Sequence, residues 1–346
     1  MFNIKYYHII KPLLMGIKSL TQTIKKFSPD SITHENLYKL SGKKVAVDAS
    51  LIIYQQLLSN AKTFFYNKEG KITNHITGLF YKIMNFITLD IELLFVFDGK
   101  PPDNKQACIK ERIDKSILAK GKIDETTSKD DKYKLEKASV RVTREMINDV
   151  KTLLNLMGIS YIHPEVGEGE AYASELCRMG VVDYVLTEDM DSLVYGCPKL
   201  IRNCVDKSMK RKGVISIFDY DTIIQELGFN HDKFIEFCIL CGCDYCSQVP
   251  KIGNITALKL FQTHGTIEEI IKNTNYQFPE NYLETFKLAK DNFLLYHDKL
   301  TVDMFEVYKS EMNIEGLGKY LMEEINMNEK RVQTTLNKIN NIYKCE

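Results

Sequence analysis

The sequence has no excess of either charge. Its 46 lysines and arginines stand against 46 aspartates and glutamates. No basic field covers the whole molecule, so any grip on nucleic acid has to come from local patches. No apolar run approaches bilayer length, which predicts a soluble chain with no membrane partner. The nine cysteines lack the spacing of a secreted disulfide framework and point to free thiols in a reducing compartment. The opening MFNIKYYHIIKPLL has neither the small-residue cleavage site of a secretory signal nor the arginines of a transit peptide. No internal repeat or low-complexity stretch stands out. What remains is a 346-residue chain with 44% hydrophobic residues, enough for one large domain or two small ones.

Apolar runs alternate with helical patterns, which predicts an α/β fold. Three runs, 43–48, 92–98 and 183–189, read as strands that each end in a carboxylate: Asp48, Asp98 and Asp189. Their unbroken Val, Leu and Phe content suits strands buried on both faces of a mostly parallel sheet. Helices are expected over 49–59, 75–88 and 168–179. From Pro101 to Met157 a charge-rich stretch reads as two long helices around a polar break at Gly121–Lys129, an arch standing off the sheet. As pattern alone, a solvated helical hairpin explains it equally well. Beyond Asp244 the chain reads as helical to its end.

The acids are the best organised feature. Asp48, Asp98, Glu168, Glu170, Asp189, Asp191 and Asp244 all fall at apparent strand ends or first helical turns. Any one of them is explained as an N-cap or an exposed strand end. Gathered together without counter-charge they would repel strongly. Hard oxygen donors resolve that with Mg²⁺ or Mn²⁺ rather than zinc. Two such ions suit phosphodiester hydrolysis. The stretch CILCGCDYC, 238–246, puts four cysteines around Asp244. One residue separates its cysteine pairs, too few to fold a second pair back onto a zinc ion. The thiols read as small buried hydrophobes.

Together these fragments resemble the flap endonuclease family of structure-specific 5′ nucleases. The motifs are VDAS at 47–50, VFDGKPP at 96–102, GEGEA at 167–171, TEDMDSL at 187–193 and CGCDYC at 241–246. The likeness runs from Met15 to about Ile339. It implies a PIN-like nuclease fold: a central, mostly parallel sheet flanked by helices, a helical arch, and a C-terminal helix–two-turn–helix region. The implied organisation is an N-terminal extension at 1–14, nuclease regions at 15–121 and 158–246, an arch continuation at 122–157, and C-terminal helices at 247–346. It implies two Mg²⁺, replaceable by Mn²⁺, held by the seven acids. Lys105 and Arg112 match gateway-helix cations that contact the scissile phosphate. Tyr54 matches a tyrosine that stacks on a base, and Arg202 an arginine near the metals. Arg141 and Arg144, with Lys132, Lys134 and Lys137, are expected to touch the phosphates of a threaded 5′ strand. The implied activity is flap cleavage with 5′–3′ exonuclease action on branched or flapped DNA, by a monomer, in replication, repair or recombination. The alternative is a nucleic-acid-binding scaffold of the same fold that has lost cleavage, against which the full set of acids, Lys105 and Arg112 speaks. The expected location is nuclear, or a cytoplasmic replication site for a viral chain.

The likeness also has gaps. Where the family has Gly-Ile-Gly-Pro-Lys-Arg after the last acid, this chain has Lys251-Ile-Gly-Asn-Ile-Thr256. Gly253 stays, but the proline and the Lys-Arg pair do not, which puts duplex grip and the family's potassium site in question. The family start, Met-Gly-Ile, is internal at Met15; either Met15 is the real start or the extension folds away. Near the C-terminus, Gln333-Thr-Thr-Leu336 begins like a sliding-clamp box, yet lacks its two aromatic anchors. Val332, Leu336 and Ile339 there read as one face of a last packed helix.

Overall fold

Lys44–Asp48 sits at the centre of the sheet because it is apolar on both faces. Its neighbours in sequence alternate between two cores: Ala46 packs to one side, Val45 and Val47 to the other. The computed structural model describes residues 17, 19–59, 64–203, 205, 208–209, 213–297 and 299–343. The stretch 1–14 and the Met15-Gly pair lie outside the described residues. In chain order the strands are β1 (Ile32–Asn36), β2 (Lys44–Asp48), β3 (Glu92–Val96), β4 (Ser160–Ile162), β5 (Tyr184–Leu186), β6 (Lys199–Asn203), β7 (Val214–Asp219) and β8 (Val307–Tyr308). They form one sheet in the order β1-β7-β6-β5-β2-β3-β4-β8. The five central strands run parallel, and both flanks turn antiparallel.

This register positions the site. Asp48 pairs with Val96 across β2 and β3, and Val47 with Leu186 across β2 and β5. The C-terminal ends of the three strands therefore share one edge, where a parallel sheet opens its crevice. Asp98 lies two residues past β3 and Asp189 three past β5. Helices Ala49–Ser59, Asn74–Thr88 and Arg144–Leu156 cover one face, and Gly169–Arg178 and His231–Cys241 the other. No helix among the described residues is long and apolar enough to cross a membrane.

Two expectations need correction. The stretch after Pro101 holds three helices, Gln106–Gly121, Lys129–Ser139 and Arg144–Leu156. Thr143 breaks the second from the third by accepting the Met146 N–H at 3.2 Å, an N-cap. Val150, Leu153 and Leu154 then bury the third helix against the body. The region after Asp244 is not wholly helical either. Strand β8 pairs with β4, and the Tyr161 and Tyr308 rings stack at 5.0 Å. Two exposed residues carry no alternation that a sequence pattern can register. The last helix, Glu329–Tyr343, buries Val332, Leu336 and Ile339 on its inner face.

Lys251 occupies the left-handed region at φ 68°. A glycine adopts that conformation without steric cost; lysine does not. The turn before helix Asn254–His264 thus keeps a glycine-compatible shape although the residue has changed. Lys251→Gly is expected to raise the unfolding free energy by about 0.5–1 kcal/mol in urea titration, strain relief exceeding the added freedom of the unfolded chain.

Candidate active site

Each acid is held by a short local device. Asp48 ends β2, and its Oδ1 accepts the Leu51 N–H at 3.0 Å, capping the next helix. Its Oδ2 accepts the Thr187 hydroxyl at 2.8 Å. Asp98 Oδ1 accepts the Gly169 N–H at 2.7 Å, which ties it to the start of helix Gly169–Arg178 and so to Glu168 and Glu170. In the turn after β5, Asp189 N–H donates to Thr187 Oγ1 at 3.1 Å and Asp191 N–H to Asp189 Oδ1 at 3.0 Å. The Ile17 N–H reaches Asp191 Oδ1 at 2.9 Å, so the chain just after Met15-Gly comes to the site. The N-cap reading is correct for Asp48, and does not exhaust what that carboxylate does.

Six of the seven acids lie on the sheet's open edge and the turns beside it; Asp244 joins them through Lys105 and Arg112. Lys105 Nζ lies 2.6 Å from Glu168 Oε2 and 3.7 Å from Asp244 Oδ2. Arg112 places one nitrogen 2.6 Å and 2.7 Å from the two Asp244 oxygens. Lys105 ends the 3₁₀ turn Asp103–Lys105 as the N-cap of helix Gln106–Gly121, and Arg112 lies seven residues on, two turns along the same side. Between them Cys108 Sγ faces Asp244 Oδ1 at 3.6 Å. Lys105 also sits over the Tyr245 ring at 5.7 Å, and Tyr245 shares a hydroxyl contact with Tyr195 at 3.0 Å.

The acids raise one another's pKa values. Burial, then the charge of Asp98, pushes Asp48 up to about 7 against the hydrogen bonds of Leu51 and Thr187. Burial followed by Asp189 and Asp48 holds Glu170 well above the usual carboxylate range. Asp191 is held there by burial, Asp189 and Asp244. Burial also raises Asp189, and raises Glu168 against the pull of Lys105. Lys105 is held in its charged form: burial opposes its charge, but Glu168, Tyr245, Glu170 and Asp244 together hold its pKa well above normal.

A divalent cation fits this donor set. The donors are carboxylate oxygens, their charge is only partly matched by Lys105 and Arg112, and Glu168 Oε1 is buried without a hydrogen-bond partner. Among the described residues no three His, Cys, Asp or Glu side chains already converge as a coordination shell. The ammonium and guanidinium groups supply the counter-charge instead. The cysteines of CILCGCDYC face the core: Cys238, Cys241 and Cys246 are buried, and burial raises all four thiols above their ordinary value. A protonated thiol is a poor metal ligand.

The remaining candidates stand at different distances from this centre. Arg202, on β6, donates to Glu188 Oε2 at 3.2 Å and Thr21 Oγ1 at 2.6 Å, and meets Met190 Sδ at 2.9 Å. It braces the turn that carries Asp189 and Asp191. Tyr54 is half-buried on helix Ala49–Ser59. Arg141 and Arg144 are exposed at the link between the second and third helices. Arg144 holds a cation in a helical first turn, where the dipole disfavours it. Gly253 is the N-cap of helix Asn254–His264. Of the residues missed from sequence, Thr187 carried a signal, a hydroxyl two residues before an acid after a strand. Lys82 carried none. It lines a small cavity with Asp48, Thr187, Glu188 and Asn203, and burial lowers its pKa against the charge of Glu188.

The raised carboxylates fix a pH dependence. Unfolded, these groups titrate near 4. Folded and metal-free they bind protons more tightly, so stability is lost as pH rises from about 4 through about 7. In chelator, the melting temperature is expected to be higher at about pH 5 than at about pH 8, with millimolar Mg²⁺ restoring it at the higher pH. Asp191→Asn is expected to flatten the pH response. A metal-free protein equally stable at both pH values contradicts the mutual repulsion.

The XPG N-terminal domain family matches residues 15–119 and the XPG I-region family residues 158–244. Flap endonuclease 1 of Glycine max is 37% identical over 336 residues, covering 94% of this chain and 86% of the relative. Flap endonuclease 1 of Zea mays is 38% identical with the same coverage. Among solved structures, flap endonuclease-1 from Methanococcus jannaschii superimposes with a TM-score of 0.69 at 26% identity, covering 94% of this chain and 98% of that one. The chain therefore belongs to the flap endonuclease family of structure-specific 5′ nucleases.

Proposed function

We propose that this chain is a divalent-metal-dependent nuclease that cuts 5′ flaps from branched DNA, with 5′–3′ exonuclease action, in replication, repair or recombination. The observation that carries the reading is the pairing of Lys105 and Arg112 with the carboxylates Glu168 and Asp244. It sets two cations of one helix against the open edge where the other acids meet. Asp48, Asp98, Glu168, Glu170, Asp189, Asp191 and Asp244 would hold two Mg²⁺ or Mn²⁺ ions. Such ions supply an activated water and steady the leaving oxygen.

The chain's own side chains do the rest. Released from Glu168 and Asp244, Lys105 and Arg112 present positive charge to the scissile phosphate as its oxygens gain charge. Arg202 keeps the Asp189–Asp191 turn in register by bracing Glu188. Tyr54 stacks on a base beside the cut, a contact worth about 1–3 kcal/mol. Arg141 and Arg144, with Lys132, Lys134 and Lys137, line the route of the 5′ strand through phosphate contacts. Gly253 opens helix Asn254–His264, whose first N–H groups meet a duplex phosphate. Lys251 and Lys259 stand in for the missing Lys-Arg pair. The turn at 251–253 is the place for a potassium ion held by backbone carbonyls. The protein acts as a monomer, nuclear or at a cytoplasmic replication site, and does not use its last helix to engage a sliding clamp.

A labelled 5′-flap DNA with Mg²⁺ tests this directly, beside nicked and gapped duplexes. Wild-type protein is expected to release the flap. Arg112→Ala is expected to lower kcat by about 100-fold or more, the scale of a lost transition-state donor. Asp189→Asn is expected to abolish cleavage while the fold persists. An inert wild type across a range of salt would refute the nuclease; full activity in Asp189→Asn would refute the site.

A further inference from the structure

The turn before Glu168 is held from two sides. On one side it hydrogen-bonds to the segment that carries Asp98. Gly99 N–H donates to Gly167 O at 2.9 Å, Gly167 N–H to Lys100 O at 2.9 Å, and Lys100 N–H to Glu165 O at 2.8 Å. On the other side are two tyrosines. Tyr172 Oη donates to Val166 O at 3.0 Å and Tyr296 Oη to the same carbonyl at 3.4 Å. Their rings lie 4.8 Å apart, and Phe305 meets Tyr172 edge-on at 5.9 Å. Gly167 has φ 102°, and a Cβ there would run into the Tyr296 hydroxyl and come within 2.9 Å of two of its ring carbons. The hydroxyl end of the Tyr296 ring therefore sits directly on the backbone that precedes Glu168.

Tyr296 leaves the end of helix Tyr282–Phe293, and that helix touches the other acids' neighbours as well. Phe293 packs against Tyr245 at 5.2 Å, next to Asp244, and against Tyr195 at 5.1 Å, four residues past Asp191. The helix is fixed to the helix before Asp244 by Lys290, which lies 3.1 Å from Asp232 and 2.9 Å from Glu236. Cys246 Sγ meets Thr285 Oγ1 at 3.7 Å. One short segment, Phe293 to Tyr296, thus presses on both Asp244's neighbour and Glu168's turn.

We propose that Tyr296 is a positioning residue that sets Glu168 against Asp98 through the Val166–Gly167 turn, making helix Tyr282–Phe293 part of the frame of the metal centre. The proposal rests on the nuclease reading above. Packing of the ring, rather than its hydroxyl, carries the effect, because Tyr172 already supplies a hydrogen bond to Val166 O.

The test is Mn²⁺ calorimetry and steady-state flap cleavage on the same variants. Tyr296→Ala is expected to weaken Mn²⁺ binding and lower kcat by about 10-fold each, the usual scale for a group that orients a ligand. Its KM for the flap is expected to stay within about 2-fold, because DNA contacts are untouched. Tyr296→Phe is expected to restore both values to wild type. Tyr296→Leu, which fills space without a flat ring, is expected to fall between them and serves if the alanine variant does not fold. A variant with a lowered melting temperature but wild-type Mn²⁺ affinity and kcat would overturn the positioning role alone. A wild type that neither binds Mn²⁺ nor cuts a flap would overturn the nuclease reading and this proposal with it.

Discussion

Repulsion among buried carboxylates is the constraint that the rest of this structure answers. Asp48, Glu170, Asp189 and Asp191 are each under a tenth exposed, and Asp189 repels both Glu170 and Asp191. Each unit of raised pKa is about 1.4 kcal/mol of disfavoured ionisation, so the cluster cannot be there for stability. The sheet forces it together anyway. Three parallel strands end on one edge, and backbone N–H groups from Leu51, Gly169, Asp191 and Ile17 are aimed at the acids. Those N–H dipoles soften the repulsion without cancelling it. Lys105 and Arg112 supply the nearest full charges, from a helix that also faces the DNA in the proposed reading. In that reading one pair of side chains would serve as counter-charge in one state and as phosphate contact in another.

Legibility followed the physics of each element. Asp48 and Asp98 were readable because a buried parallel strand is a continuous apolar run and an acid at its end stands out. Glu168 and Glu170 were readable because Gly167 and Gly169 mark a turn into a helix. The flank of β1 and β7, with β6 beside it, carries no clean signal, because Val214–Asp219 buries Ile215 and Ser216 side by side rather than alternating. Its neighbours are distant in sequence, and pairing such as Ile32 with Phe218 leaves no local mark. The same holds for Thr187 on Asp48 and for the tyrosines on the Val166–Gly167 turn. Each depends on a partner that only the fold brings near. The third helix after Pro101 was missed because a Thr143 cap is a single-residue signal inside a charged stretch.

Lys251 takes the left-handed conformation that suits glycine, so the turn before helix Asn254–His264 has a glycine-compatible path and bears a lysine. The four cysteines around Asp244 line the back of the site rather than the front. Cys238 and Cys241 fill the buried side of helix His231–Cys241, and their thiols are held in the protonated form by burial. Asp244 alone turns toward Arg112. The one carboxylate of the stretch faces the other acids' counter-charges, and the sulfur atoms serve as packing.

The claim at the centre of this account is that these seven carboxylates are a divalent-cation site and not a set of caps. Counting bound Mn²⁺ by electron paramagnetic resonance, on metal-free protein without DNA, tests it most directly. The account predicts two ions per chain, and loss of at least one in Glu170→Gln. A protein that takes up no Mn²⁺ at millimolar concentration, or takes up the same number after that substitution, would contradict it.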